Sequence, residues 1–171
     1  IELICVSDGS NDGMERHLRQ MRTEGLIDVA LTTSPRGGKS SAANLGLFRA
    51  RGELILTADP DCTFDREAVA QAVACFADPR TGAVTGNIAV RNSRHGLLTR
   101  IQDIEYLLSI SLGKRLLGAF DQITCASGAF SMFRRGALAG IGGLHGGPGE
   151  DLDLTLRLRN AGWRIRFAEN A

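Results

Sequence analysis

Apolar residues along this chain come in short blocks, separated by clusters of Gly, Asp, Asn and Ser, and most blocks have a readable period. Residues 1–6 form a β-rich apolar run that predicts a strand. Ser7-Asp8-Gly9-Ser10-Asn11-Asp12-Gly13, almost all turn formers, ends it. Met14, Leu18 and Met21 fall at helical spacing and predict a helix closing near Gly25. A second strand is expected at 26–32, where Ile27, Val29 and Leu31 alternate, then a loop at 34–39 and a helix at 40–50 ended by Gly52. Residues 54–58 predict a third strand. Residues 65–76 predict a helix, with Asp65 as N-cap and Glu67 in its first turn. Strand–helix alternation at this rhythm means βαβ units: an α/β fold with a mostly parallel central sheet flanked by helices.

The second half is less regular. Residues 83–92 alternate (Val84, Gly86, Ile88, Val90), which predicts a strand with one solvated face. Leu97, Ile101, Ile104, Leu108, Leu112 and Leu116 step by three or four, marking a long amphipathic helix. Its other face carries Arg100, Gln102, Asp103, Glu105, Lys114 and Arg115. Residues 123–134 read as extended chain around Ser127-Gly128, and 140–149 as a glycine-dense mobile loop. At 150–161 two patterns compete. Leu152, Leu154, Leu156 and Leu158 alternate as in a strand, whereas acidic residues at the start, arginines near the end and Gly162 beyond fit the polarity of a helix. A helix is expected there, and a strand at 163–168. No internal repeat or low-complexity segment is present.

Composition narrows the classes. The 171 residues suit one domain with a proper core, at 43% hydrophobic and 23% charged. Twenty basic against 19 acidic side chains leave a net charge of +1, which argues against a nucleic-acid partner. Cys5, Cys62, Cys75 and Cys125 are widely spaced with no C-x-x-C pair, so neither a zinc site nor a disulfide framework is expected, and a reducing compartment fits. No signal-peptide pattern is visible, nor an uncharged apolar run of about 18 residues. The chain opens inside an apparent strand without an initiator methionine and reads as a fragment.

Four short motifs carry candidate chemistry. The strand at 54–58 runs into Asp59-Pro60-Asp61, two carboxylates one residue apart at the end of a strand where α/β sheets bind ligands. Such a pair suits Mg²⁺ or Mn²⁺ shared with substrate phosphates, or forms a simple Asp-Pro turn. Asp8-Gly9 after the first strand could accept hydrogen bonds from a base or ribose, or make an ordinary Asp-Gly turn. Gly38-Lys39-Ser40 invites a phosphate-loop reading, but Thr33 stands where that motif needs a glycine, and Pro35 stiffens the loop. Lys39 beside a helix start still suits a diphosphate. Glu150-Asp151, opening a helix, could supply a general base or merely cap the helix. None of His17, His95 and His145 pairs with a Cys or Ser at a catalytic spacing.

Taken in order, Ser-Asp-Gly-Ser, Gly-Lys with Asn44, Asp-x-Asp, Ser-Gly-Ala-Phe with Arg134-Arg135, and Glu-Asp resemble the GT-A-fold inverting glycosyltransferases that include cellulose, chitin, hyaluronan and poly-N-acetylglucosamine synthases. The resemblance covers nearly the whole chain. It implies a nucleotide-sugar-binding half at 1–92 and an acceptor-binding half at 93–171. In it Asp8 would hold the nucleotide base, Lys39 the diphosphate side, with Asn44 supporting that loop. Asp59 would contact the sugar nucleotide and Asp61 the divalent metal, Mg²⁺ or Mn²⁺. Ser127 and Gly128 would line the acceptor site, and Asp151 beside Glu150 would be the catalytic base. Ser7 stands where many relatives have a further aspartate. The family's first strand would lie upstream of Ile1, and its Gln-x-x-Arg-Trp motif and membrane helices beyond Ala171. The implied protein transfers a sugar, from a UDP-sugar donor, to a glycan acceptor at the cytoplasmic face of a membrane. Other readings are a non-processive transferase acting on lipid or protein, a P-loop-like nucleotide hydrolase or kinase, and a non-catalytic nucleotide-binding module. The resemblance also places 97–116 near the membrane end, so Leu108 and Leu112 are expected to be uncovered in this chain.

Overall fold

The computed structural model describes residues 1–147 and 149–171; Pro148, part of the expected glycine loop, lies outside them. The N-terminal stretch is β1 Ile4–Asp8, α1 Met14–Thr23, β2 Val29–Thr33 and α2 Lys39–Arg49. Then come β3 Leu54–Ala58, α3 Ala68–Ala74 with a 3₁₀ turn at Cys75–Ala77, and β4 Thr81–Gly86. One continuous helical run follows: α4 Leu97–Tyr106, a π-helical stretch Leu107–Leu112, and α5 Gly113–Ala119. The chain closes through β5 Phe130–Arg134, α6 Arg135–Gly140, α7 Glu150–Asn160 and β6 Arg164–Ala168.

Helix ends follow local chemistry. Gly25 has φ 72°, and the Gly25 and Leu26 N–H groups donate to the carbonyls of Arg22 and Met21. Gly162 has φ 87°, with Gly162 and Trp163 donating to Arg159 and Leu158. Both are Schellman closures, which a glycine makes without a Cβ penalty. The second one decides the strand–helix competition at 150–161, together with Glu150, Asp151 and Asp153 in the first turn of α7. The expected helix at 65–76 starts later, at Ala68, because Asp65 contributes its carbonyl rather than a side-chain cap. Helix α6 carried no sequence signal that separated it from β5.

The sheet is mixed where a mostly parallel one was expected. β1 and β2 form a parallel pair, while a separate four-stranded sheet has the order β3-β5-β4-β6. β5 is antiparallel to both β3 and β4, and β4 is parallel to β6. The helical run between β4 and β5 is therefore not the crossover of a βαβ unit, which would have made those two strands parallel. Strands from either side of position 92 therefore interleave, so the expected division there is not a boundary between sheets.

β4 overturns the expected solvated face. All six of its residues are buried, and regular pairing stops at Gly86 rather than near 92. Its period of two serves two cores. Ala83, with Phe133, Ile165, Leu154 and Leu158, belongs to the core under α6 and α7. Val84, with Met132, Phe130, Phe76 and Ala72, belongs to the core under α3. At Gly82 a Cβ would stand 2.5 Å from Trp163 Cβ, so only glycine admits that indole.

Candidate active site

The register of β5 builds the site. Phe130 pairs with Ala58, so the start of β5 lies beside the end of β3, and the Asp59 N–H donates to the Ala129 carbonyl at 3.3 Å. Ser127-Gly128 thereby come next to Asp59, and the N-termini of α2 and α7 bring Lys39, Glu150 and Asp151 to the same place. Four of the expected residues meet directly. Lys39 Nζ donates to Asp59 Oδ1 at 2.8 Å, and the Gly128 N–H donates to Asp151 Oδ2 at 2.7 Å. A Cβ on Gly128 would stand 2.9 Å from both Asp151 oxygens and 3.0 Å from Lys39 Nζ. A side chain there would displace the Asp151 carboxylate or the Lys39 ammonium, and that ammonium sits close to Asp151 as well as to Asp59. Burial alone would lower the Lys39 pKa; the hydrogen bond and charge of Asp59, helped by Asp151 and Glu150, reverse this and hold it above its ordinary value.

Asp61 is exposed, and its carboxylate accepts from the Cys62 thiol at 3.9 Å. Among the described residues no group of three or more His, Cys, Asp and Glu side chains could enclose a metal. An open pair, Asp61 with Asp59 beside it, does fit a hard cation that takes its remaining oxygens from substrate phosphates.

Three of the expected site residues have hydrogen-bond partners within the chain. Asp8, expected to hold a base, is turned toward its own chain: Oδ1 accepts from Thr33 Oγ1 at 2.6 Å and the Gly37 N–H at 2.8 Å, and Oδ2 from the Gly38 N–H at 2.8 Å. The Thr33 hydroxyl first, then the Gly37 and Gly38 amides, hold its pKa below the usual carboxylate value. Because those glycine amides are committed to Asp8, they form no phosphate cradle, which removes the ground for the P-loop reading. Asn44, expected to support the Lys39 loop, clamps a different one. Its Nδ2 donates to the Leu144 carbonyl at 2.7 Å, and its Oδ1 accepts the Leu144 N–H at 2.9 Å. Glu150 is a latch beside the proposed base. Its carboxylate is hydrogen-bonded by Ser40 Oγ, which also lies 2.9 Å from the His145 carbonyl oxygen.

Residues that sequence reasoning did not single out complete the loop at 126–128. Thr155 Oγ1 accepts the Ala126 N–H at 2.8 Å and donates to the Asp151 carbonyl at 2.6 Å. Thr85 Oγ1 accepts the Ser127 N–H at 3.2 Å, and Ser131 Oγ donates to the Ser127 carbonyl at 2.6 Å. Three successive N–H groups are thus fixed by side chains of β4 and α7. Lys114, expected on the solvated face of its helix, is instead buried, and its Nζ donates to Thr85 Oγ1 at 2.9 Å. A lysine one position from Arg115 gives no sign of this until the helix orientation is known.

The sequence model of the family described as "Glycosyl transferase family 2" matches residues 1–142. The chain belongs to glycosyl transferase family 2. Glu150 and Asp151 lie beyond the matched segment, though curated relatives align through them. An N-acetylglucosaminyltransferase of Azorhizobium caulinodans is 28% identical over 183 residues, covering 100% of this chain and 46% of that protein. The poly-beta-1,6-N-acetyl-D-glucosamine synthase of Staphylococcus aureus strain COL is 29% identical over 168 residues, covering 97% of this chain and 40% of that protein. The chain therefore spans less than half the length of these relatives. Among solved structures, the mannosyltransferase PcManGT of Pyrobaculum calidifontis, in complex with GDP-Man and Mn²⁺, superposes with a TM-score of 0.73 at 24% identity, over 97% of this chain and 45% of that one. S. aureus TarS 1-349 with UDP-GlcNAc superposes at 0.70 with 17% identity, over 99% of this chain and 47% of that one. These likenesses show the GT-A α/β fold for this family 2 chain.

Proposed function

We propose that this chain is the catalytic core of an inverting glycosyltransferase that moves a sugar from a UDP-sugar, N-acetylglucosamine in the first instance, to a hydroxyl of a glycan acceptor. The observation that carries the reading is the convergence of Lys39, Asp59 and Asp151 around Gly128, at the strand ends where this fold binds its donors, with Asp61 two residues beyond Asp59. N-acetylglucosamine is favoured because both curated relatives are named for it.

In this reading Lys39 exchanges its bond to Asp59 for the donor diphosphate, and its ammonium offsets the charge there. Asp61, with Asp59, would hold a divalent cation, which when bound stabilises negative charge on the departing nucleoside diphosphate. Asp151 Oδ2 is anchored on the Gly128 N–H, so the carboxylate has a fixed direction and a second oxygen left to take a proton. As the acceptor oxygen forms its bond to the anomeric carbon, Asp151 takes the hydroxyl proton, and the bond from that carbon to the diphosphate oxygen breaks. One displacement inverts the centre, and no covalent enzyme intermediate is needed. Glu150, latched to Ser40, holds the helix start that carries Asp151. Gly128 and Ser127 form the floor against which the acceptor lies.

Membrane association at the cytoplasmic face, through parts of the protein outside this chain, belongs to the same proposal. Its support is the uncovered apolar stripe of the helical run from α4 through the π-helical stretch to α5 (Leu97, Ile101, Ile104, Leu108, Leu112, Leu116). Among the described residues no helix is long and apolar enough to cross a membrane.

Calorimetry tests the donor site. UDP should bind the wild type more tightly with Mn²⁺ than without, and Asp61→Ala should lose that enhancement while keeping the metal-free affinity. Equal enhancement in both proteins, or preferred binding of ATP with Mg²⁺, would sink the assignment.

A further inference from the structure

Lys114 is the one charged side chain among the described residues that is buried, at 9% exposure, and the reaction as derived above does not use it. We propose that Lys114 is a positioning residue of the transfer site, acting through Thr85 and the loop at 126–128 on Asp151. The inference rests on the reading of Asp151 as the base.

The geometry forms one chain of contacts. Lys114 Nζ donates to Thr85 Oγ1 at 2.9 Å, and the same oxygen accepts the Ser127 N–H at 3.2 Å. A hydroxyl oxygen has two acceptor lone pairs, so these two donors fill Thr85 and fix where it stands. The next amide, Gly128 N–H, donates to the Asp151 carboxylate at 2.7 Å. The preceding amide, Ala126 N–H, reaches Thr155 Oγ1, which donates back to the Asp151 carbonyl. The loop thus bridges a buried ammonium on α5 and a carboxylate on α7.

Packing gives no reason for a charge here. The four-carbon stem of lysine would be matched in volume by methionine, without a desolvated ammonium. Among the described residues the ammonium has one hydrogen-bond partner, and it attracts Asp151 across the loop. A fixed positive charge behind the half-buried Asp151 carboxylate pulls it toward the loop, on the same side as the Gly128 N–H that it accepts. The groups facing the ammonium are Asp151 from α7, the Cys125 thiol from the loop, and Thr85 from β4. Burial pushes the Cys125 thiol up and brings Lys114 down to about 8, with Cys125 and Asp151 opposing the fall of the lysine. The device therefore works below that pH and fades above it.

Three variants of the full-length protein test this: Lys114→Met, Lys114→Arg and Thr85→Val. The first readout needs no activity. Hydrogen exchange at pH 7 in the peptide spanning 126–128 should be about tenfold faster in Lys114→Met and Thr85→Val than in wild type, and near wild type in Lys114→Arg. UDP affinity with Mn²⁺ should be unchanged in all three. The second readout is transfer: kcat should fall about tenfold or more in Lys114→Met with the donor KM held. The wild-type kcat should decline through pH 8, and Lys114→Arg should keep activity and lose that decline. Unchanged exchange in both Lys114→Met and Thr85→Val, or a Lys114→Met kcat–pH profile matching wild type, overturns the proposal. Altered exchange in a protein that transfers no sugar would uphold the positioning and reject the transferase reading instead.

Discussion

Asp8 and Asp151 both accept backbone N–H donors, yet the number of donors separates what each can do. Asp8 takes three hydrogen bonds from the end of β2 and the loop before α2, which leaves it about one acceptor site for a ligand. Asp151 takes one side-chain bond from Gly128 and keeps an oxygen for chemistry. Asp151→Asn in the full-length protein preserves a carbonyl oxygen for Gly128 and removes the base. Transfer should fall by about 10² to 10⁴, while UDP affinity stays within about twofold, as titration of both quantities would show. Nucleotide affinity falling in step with transfer would make Asp151 a structural cap. Lys114 adds a thermodynamic prediction. Burial brings its pKa down to about 8 in the fold, against 10.5 for an ordinary lysine. Between these values the unfolded chain binds more protons than the folded one, so stability rises with pH across that window. The shift corresponds to about 3 kcal/mol at most. Denaturant titrations from pH 7 to 11 should show this rise in wild type and lose it in Lys114→Met. The convergence of Lys39, Asp59, Gly128 and Asp151 was legible in the order of motifs. The partners of Asp8 and Asn44 were not, because both bind backbone amides, which leave no mark in a side-chain pattern.

At the scale of elements, periodicity identified the helical run from Leu97 onward and left its orientation open. The structure turns the apolar stripe outward: Leu97 is 78% exposed, Leu108 56% and Leu112 48%, while Lys114 points in. A hydrophobic stripe usually marks the buried face, and here the inward face is chosen by Lys114 and by Ser111, whose hydroxyl donates to Asn87 Oδ1 at 2.7 Å. The expected exposure of Leu108 and Leu112 is therefore what the fold shows. Replacing both by Ser removes little buried area, so thermal unfolding should move by no more than a few degrees and solubility should rise. Core leucines would cost about 2–5 kcal/mol each on truncation, and unfolding of the double variant would contradict the exposed geometry. β4 shows the opposite failure of periodicity. Alternation in a strand predicts one wet face only when a single face is covered, and β4 is covered on both, by the cores under α3 and under α7.

For the whole molecule, the seam that matters runs between the β1–β2 pair, with α1 and α2, and the four-stranded sheet. The alternating elements that predicted an α/β fold were legible in the sequence. The split was not, since strand neighbours distant in sequence are set by tertiary packing. Both core clusters are built from residues after position 67, whereas the N-terminal elements contribute as fully buried apolar residues only Leu18 and Ile27. Leu47 of α2 packs against the core under α6 and α7, and the other ties between the two layers are polar: Lys39 to Asp59, Ser40 to Glu150, and Asn44 to Leu144. These three polar ties lie at the candidate site or on the glycine loop leading to it. Regions with few buried apolar contacts open at lower free energy than the core. Hydrogen exchange should therefore be fastest among the strands in β1 and β2, and slowest in β4, which is buried throughout. A donor that binds across the seam adds stabilisation to the closed form alone, so UDP with Mn²⁺ should slow exchange in β1, β2 and α2 far more than in β4. Time-resolved exchange with and without the nucleotide would measure both effects. If β1 and β2 exchange as slowly as β4 without nucleotide, or if nucleotide protects all strands equally, the seam is not where this molecule opens.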